Sequence, residues 1–126
     1  MRAVLDTSVL IAGGTRPLVG ELAISAVSLT EIELGVRCAG PGAVRDQRLA
    51  LLVALRRSFD ALPVDEAVAA SYGVLASAVT KAGRQPWARS LDLLIAATAH
   101  AHGALVYTCN PAELLGLEDV LEVVAV

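Results

Sequence analysis

Residues 4–11 constrain this chain most, because a short apolar run ends there in a carboxylate and two hydroxyls, Asp6, Thr7 and Ser8. This pattern predicts a strand that carries Asp6 at its end. In open α/β sheets, ligands bind in the crevice beyond the carboxyl ends of the strands, so an acid at this point indicates a site. Asp6 is also a good cap for a short helix over residues 8–12. Both interpretations stay open at this point.

The composition sets the kind of core that the chain can build. With 126 residues, the chain fits one domain over residues 1–126. Apolar residues make up 56% and aromatic residues 3%, so Ala, Val and Leu must form the core. This favours helices packed closely on a parallel sheet. It also predicts more apolar surface than one chain can bury, and therefore a homodimer or another protein partner.

Charge and cysteine content exclude several classes of protein. A net charge of −3 argues against holding nucleic acid by bulk charge. An arginine-rich segment is interpreted as a solvated helix face or a local basic patch, and it contains Arg45, Arg48, Arg56 and Arg57. Two cysteines, Cys38 and Cys109, provide no disulfide framework and no metal-binding pair. We expect a cytoplasmic protein, because we find neither a signal peptide nor a membrane-spanning run.

Alternating strand and helix patterns predict the fold class. After a loop at residues 13–17, a second strand is predicted over 22–27. Ser28 and Glu31 then match a capping box that begins a helix over 29–37. The remaining predicted elements are a helix over 43–58, a short connecting strand at best over 62–64, a helix from Asp65 to residue 82, a polar loop over 83–89, a helix over 90–102, a strand over 104–107, a one-turn helix over 111–115 and a strand over 121–124. This order predicts a three-layer α/β domain with a mostly parallel sheet.

Three acids are predicted to meet at one edge of that sheet. Asp6 lies at a strand end, and Glu31 and Asp92 each lie in a predicted first helical turn. Strand carboxyl ends and the N-termini of the following helices share one edge in a right-handed βαβ arrangement. Thr108 and Asn110 follow the fourth strand and join that edge. Taken singly, Glu31 and Asn110 are also explained by the helix dipole and by N-capping.

The chemistry of this cluster predicts a divalent metal ion. Converging carboxylates repel one another unless a cation lies among them, and hard oxygen ligands select Mg²⁺ or Mn²⁺. The chain has neither a cysteine nucleophile with a histidine partner nor a glycine-rich phosphate loop. Phosphodiester hydrolysis is the reaction class that fits oxygen ligands and a divalent ion.

Four motifs give the chain a family resemblance. They are residues 4–8, 30–35, 91–97 and 108–110, and their order and spacing resemble those of a PIN domain, with VapC-type toxins of bacterial toxin–antitoxin systems as the nearest resemblance. The resemblance implies a parallel sheet of order 3-2-1-4-5. It also implies an endoribonuclease that depends on Mg²⁺ or Mn²⁺ and is inhibited by an antitoxin.

The same resemblance assigns roles to the acidic residues. Asp6 and Asp92 would hold the metal directly, and Glu31 would complete the site or position water. Thr108 and Asn110 would orient these ligands. Many relatives carry a fourth acid near Asn110, where this chain has an amide and Glu113 three residues later. The choice between one metal ion and two stays open.

Two other functions compete with this interpretation. A phosphatase of the haloacid dehalogenase type also begins with an acid at a strand end, but it needs a second Asp where Ser8 stands. A catalytically inactive PIN-like module that only binds a partner would explain the apolar surplus equally well.

Overall fold

A four-stranded parallel sheet forms the centre of the protein. The structure, a computed structural model, describes residues 1–13 and 17–126. The strands lie in the order β2-β1-β3-β4, and every neighbouring pair is parallel. Their bounds are β1 Arg2–Leu5, β2 Glu21–Ala23, β3 Leu105–Thr108 and β4 Val123–Ala125.

The first strand lies inside the sheet and uses both of its faces. Ala3 pairs with Leu22 of β2 on one side and with Leu105 of β3 on the other. Ala3 and Leu5 enter one hydrophobic cluster, whereas Val4 between them enters the other. Side chains alternate between the faces of a strand, so this separation places a core on each face of the sheet.

Helices cover both faces and confirm the predicted three-layer α/β class. The short α1 and the pair α2 and α3 contribute to the cluster that contains Leu5, whereas α4 and α5 dominate the cluster that contains Val4. The helix bounds are α1 Thr7–Ala12, α2 Ala26–Cys38, α3 Ala43–Ser58, α4 Glu66–Lys81 and α5 Ser90–Ala101.

Small residues let α5 pack closely against the sheet, as the sequence predicts. Ala96, Ala97 and Ala99 are all completely buried in the cluster that contains Val4. Gly103 follows the helix with φ of 61°, a left-handed conformation that glycine adopts without steric cost. The chain therefore turns directly from α5 into β3.

The predicted second strand is present but ends four residues earlier than expected, and the predicted capping box is wrong. β2 ends at Ala23, and α2 begins at Ala26 with Ser25 as its cap, whose hydroxyl accepts a hydrogen bond from the Val27 amide at 3.1 Å. Ser28 lies inside the helix. Two serines three residues apart can both cap a helix, and the packing of Ser25 against other elements selects the earlier one. Glu31 is therefore in the second turn of α2.

The sheet has one strand fewer than the order 3-2-1-4-5 implies. Leu62 forms only an isolated parallel bridge with Ser25, beyond β2. The Leu62 amide donates to the Ile24 carbonyl at 2.9 Å, and the Ala26 amide donates to the Leu62 carbonyl at 2.9 Å. Pro63 follows at once and has no amide hydrogen with which to extend the pairing. The expected outer strand is therefore reduced to one bridge.

Smaller differences concern the connections. The predicted polar loop over residues 83–89 contains a 3₁₀ turn, Pro86–Arg89, and a second 3₁₀ turn, Pro111–Leu114, follows β3. The last strand begins two residues later than predicted. The predicted loop at 13–17 includes residues 14–16, which lie outside the described residues. Within the described ranges, none of the helices combines the length and the apolar character needed to cross a bilayer.

Candidate active site

Asp6 both caps α1 and stands at the end of β1, so its two predicted roles coexist. Its Oδ1 accepts a hydrogen bond from the Thr7 amide at 2.9 Å, which is the capping contact. Its Oδ2 accepts hydrogen bonds from the hydroxyls of Ser8 and Thr108, both at 2.8 Å. The residue is only 8% exposed. Asp6 is therefore a nearly buried carboxylate with three donors that fix its orientation.

Thr108 connects Asp6 to the end of β3. Its side chain is completely buried, and its Oγ1 also accepts a hydrogen bond from the Asn110 amide at 3.0 Å. Ser8 makes a parallel connection, because its Oγ accepts from the Cys109 amide at 3.0 Å. These bonds join two neighbouring strand ends through hydroxyls. The predicted place of Thr108 beside Asp6 is confirmed by this geometry.

Glu31 enters the same corner from α2. Its Oε1 accepts a hydrogen bond from Thr7 Oγ1 at 2.7 Å, and Thr7 Oγ1 also lies 2.9 Å from Ser28 Oγ. Burial raises the pKa of the Glu31 carboxyl, and the hydrogen bond from Thr7 opposes that rise. The negative charges of Asp92 and Asp6 raise the pKa of Glu31 further.

Asp92 comes from the first turn of α5, as predicted. Burial is the main cause that raises the pKa of its carboxyl, and the charge of Asp6 raises it as well. The positive charge of Arg89 acts in the opposite direction. The structure therefore brings Asp6, Glu31 and Asp92 close enough to repel one another.

These carboxylates do not form a finished metal cage. Among residues 1–13 and 17–126, no group of three His, Cys, Asp or Glu side chains is arranged to hold a metal ion. The donor set itself, three carboxylates with neighbouring hydroxyls, has the hard-oxygen chemistry that suits Mg²⁺ or Mn²⁺.

The side chain of Asn110 makes fewer contacts at the site than the sequence indicates. It occupies the cap position of the second 3₁₀ turn, as the N-cap signature predicts, but its side chain makes no capping hydrogen bond. The residue is exposed, and its backbone N–H, rather than its side chain, donates the hydrogen bond to Thr108. Glu113 is bound by an ion pair with Arg89. The structure therefore places Glu113 beside the entry to α5.

Several contributors were missed by sequence reasoning. The sequence pattern predicts no site role for the hydroxyls of Thr7 and Ser8, although both residues directly follow Asp6, and it predicts only a helix cap for Ser28. That adjacency is the signal that could have identified them. The pair of Arg89 and Glu113 gives no comparable signal, because it joins two turns that are distant in sequence.

The arginine-rich segment forms α3, and two of its side chains bind within the protein. Arg48 donates to the carbonyl of Gly35 at 2.8 Å, and Arg56 forms an ion pair with Glu33. Both contacts join α3 to α2. They support the interpretation of a helix face with a structural use over that of a basic patch.

Comparison with known proteins agrees with this architecture. The sequence profile described as PIN domain matches residues 3–112. Ribonuclease VapC8 of Mycobacterium tuberculosis is 40% identical over 99 residues, which are 75% of this chain and 88% of that protein. Ribonuclease VapC5 of the same organism is 35% identical over 111 residues, which are 83% of this chain and 80% of that protein.

A solved structure extends the likeness to three dimensions. The crystal structure of VapBC-5 from Mycobacterium tuberculosis, a member of the VapBC family of toxin–antitoxin systems, contains a chain that superimposes with a TM-score of 0.85 at 33% identity. The match covers 99% of this chain and 98% of that one. With a profile match over most of its length, two relatives above 30% identity and the same fold, the chain belongs to the PIN domain family.

Proposed function

We propose that this protein is an endoribonuclease that requires Mg²⁺ or Mn²⁺ and acts as the toxin of a type II toxin–antitoxin system. The observation that carries the proposal is the 2.7 Å hydrogen bond that joins Glu31 to Thr7, the neighbour of Asp6, with Asp92 near enough for its charge to act on Glu31. Relatives of 40% and 35% identity that bear the name ribonuclease support the assignment of substrate.

The residues present fit a divalent ion by their chemistry. Asp6 and Asp92 would hold it, and Glu31 would complete the site. The raised pKa values of Glu31 and Asp92 are a cost that a cation among the three charges would remove. When bound, such an ion stabilises negative charge on phosphate oxygens and makes a nearby water a stronger nucleophile.

The surrounding side chains prepare the acids for hydrolysis. Ser8 and Thr108 hold Asp6 Oδ2, while Thr7 holds Glu31 Oε1 and leaves Oε2 without that bond. Glu31 Oε2 would take a proton from the attacking water, because the bond from Thr7 to Oε1 fixes the direction of the carboxylate. The water oxygen then bonds to phosphorus as one bridging P–O bond breaks, and the leaving oxygen takes up a proton from solvent.

An antitoxin and a second copy of the chain are the proposed protein partners. The structural relative is described as a member of a toxin–antitoxin family, which supports the first. An arginine from an antitoxin segment would pair with the carboxylates and displace the metal ion. Exposed apolar side chains on α3, among them Leu49 and Val53, support a homodimer or another apolar contact.

One observation favours the alternative of a module that only binds a partner. The three acids are not arranged as a ready ligand group in the described structure, and a protein without catalysis has no need to close that group. The hydrogen bonds that orient Asp6 and Glu31 argue for catalysis, because a pure binding module gains little from them.

Cleavage of total RNA by protein purified free of antitoxin tests the proposal. We expect mapped cleavage ends with Mg²⁺ or Mn²⁺ and none with EDTA. Asp46→Asn is the matched control, because Asp46 is an exposed acid on α3 away from the site. Equal cleavage in EDTA would contradict the metal requirement. No cleavage under any of these conditions would favour the binding module.

A further inference from the structure

The only tryptophan of the chain lies exposed on the turn that leads into α5. Trp87 is 70% exposed, whereas Tyr107 is buried and Phe59 and Tyr72 are half-buried in the hydrophobic clusters. An indole is among the largest contributors to a core when it is buried. The protein thus buries its other aromatic rings in whole or in part and leaves this one in solvent.

The turn that carries Trp87 is held in place on both sides. Pro86 occupies its first position, where a fixed φ suits the turn. Ser90 Oγ donates to the Trp87 carbonyl at 2.8 Å, and the Arg89 side chain forms an ion pair with Glu113. The indole therefore projects from a supported backbone rather than from a free loop.

This turn lies at the edge of the sheet that carries the acids. Trp87 precedes Asp92 by five residues, which span at most about 18 Å even when fully extended. Arg84 donates to the carbonyls of Ala112 and Leu115, both at 3.1 Å, so the segment packs on the turn that follows β3. The backbone of Trp87 therefore lies within about 18 Å of Asp92, on the turn that leads directly into the helix that carries this acid.

The negative charges of the site weaken RNA binding, and a stacking contact with Trp87 can compensate for this. Three carboxylates repel the phosphates of a substrate, and the chain carries a net charge of −3. The arginines on either side, Arg84 and Arg89, are already engaged by carbonyls and by Glu113. Stacking of a base on an aromatic ring provides affinity without a positive charge, and every base has a face that can stack.

We propose that Trp87 stacks against a base of the RNA strand, one or two nucleotides from the bond that is cleaved, and so positions that strand over Asp92. This inference rests on the proposed ribonuclease function. A stack of this kind tolerates different bases. Its contribution to affinity also changes little with salt, unlike that of a phosphate contact.

The single tryptophan makes a direct test possible. In EDTA, the full chain is titrated with a single-stranded 2′-O-methyl A12 oligonucleotide, and the tryptophan emission is followed. An abasic 12-mer with the same number of phosphates is the matched probe. We expect A12 to quench the emission and the abasic strand to leave it unchanged. Equal quenching by both probes, or by neither, would overturn the proposal.

Variants separate the ring from the rest of the turn. Trp87→Ala should weaken binding of fluorescein-labelled A12 by about 5- to 150-fold at both low and high salt, and Trp87→Phe should restore most of it. Val74→Ala, an exposed apolar residue on α4, should bind like the wild type. Wild-type affinity in Trp87→Ala would overturn the proposal. A blue shift of the emission when the protein alone is concentrated would also do so, because Trp87 would then be covered by a second copy.

The same samples distinguish this inference from the function on which it rests. Quenching by A12 without any cleavage of total RNA would contradict the ribonuclease function and support the stacking contact. Metal-dependent cleavage at the wild-type rate in Trp87→Ala, together with unquenched emission in the wild type, would contradict the stacking contact and support the ribonuclease function.

Discussion

Asp6 and Asp92 carry the same chemical group at the same edge of the sheet, but the protein surrounds them differently. Asp6 accepts three hydrogen bonds, from the Thr7 amide and from the hydroxyls of Ser8 and Thr108. Among the hydrogen bonds of the described residues, none reaches the Asp92 side chain. Its carboxyl is instead partly buried near other negative charges, and its pKa is raised.

This difference indicates two kinds of acid in one site. Donors that point at Asp6 stabilise its charge and fix the direction of its oxygens before anything binds. Asp92 lacks such donors, and the positive charge of Arg89 offsets its raised pKa only in part, so a bound cation would stabilise its charge further. Asp6 would be the fixed part of the metal site, and Asp92 the part that responds to metal.

The largest expected effect comes from removing either charge. Asp6→Asn and Asp92→Asn should each lower metal-dependent RNA cleavage by more than about 100-fold, because loss of a supporting group alone costs about 10- to 100-fold. Initial rates on total RNA measure this, with Asp46→Asn as the control. Full activity in Asp92→Asn would show that Asp92 is not part of the site and would contradict the assignment of two kinds of acid.

A smaller effect is expected when the fixed part loses a donor. Thr108→Val keeps the buried volume but deprives Asp6 of a hydroxyl, so activity should fall by about 10- to 100-fold, with partial rescue by Thr108→Ser. Thr98→Val is the matched control, because Thr98 is also completely buried and its hydroxyl donates to the Leu94 carbonyl and to Ser25 Oγ rather than to Asp6. Equal losses of activity in both variants would show a general packing effect.

Asn110→Ala should have a milder effect on the same assay. The residue is exposed and its side chain makes no capping bond, so we expect activity to fall by only about two- to fivefold, within the range of surface substitutions. Complete loss of cleavage would show that the side-chain amide of Asn110 contacts substrate or metal. A melting temperature equal to that of the wild type would exclude unfolding as the cause.

The smallest expected effect is a shift in stability that depends on pH. Because the folded pKa of Asp92 lies above its ordinary value of 3.8, the folded state binds more protons than the unfolded state between these two values. Asp92 therefore raises the free energy of unfolding as the pH falls through that window. Above the window, the ionised carboxylate destabilises the metal-free fold.

Thermal melts of the wild type and Asp92→Asn measure this shift. In EDTA at pH 7, the variant should melt higher, by no more than about 2–4 °C, and the difference should vanish near pH 4. Mn²⁺ should stabilise the wild type more than the variant, since binding to the folded state raises its stability. A variant that melts lower in EDTA and responds equally to Mn²⁺ would mean that Asp92 only stabilises the N-terminus of α5.

Much of this architecture could be predicted from local sequence. The bounds of α3 and the cap at Asp65 agree with the prediction, because helical spacing and capping chemistry act within a few residues. Asp6 and Asp92 also lie where strand and helix ends place them. Local signals were sufficient wherever one element decided the outcome.

The rest depended on contacts between distant residues. Ser25 and Ser28 offer equivalent caps, and the bridge from Ser25 to Leu62 decides between them. The approach of Glu31 to Thr7 follows from that choice, since it sets the rotation of α2. The ion pair of Arg89 with Glu113 requires both 3₁₀ turns to be in place. Sequence periodicity contains no information about such pairs.

The hydrogen bond between Asp6 and Thr108 joins residues 102 positions apart, and this separation has a consequence during synthesis. The ribosome makes Asp6 102 residues before it makes Thr108. At about 5–20 residues per second, about 5–20 s pass between them. Throughout that interval β1 has no β3 to pair with, and Asp6 has its local donors Thr7 and Ser8 but lacks the hydroxyl of Thr108. The edge of the sheet that carries the proposed site can therefore be completed only after β3 has been made.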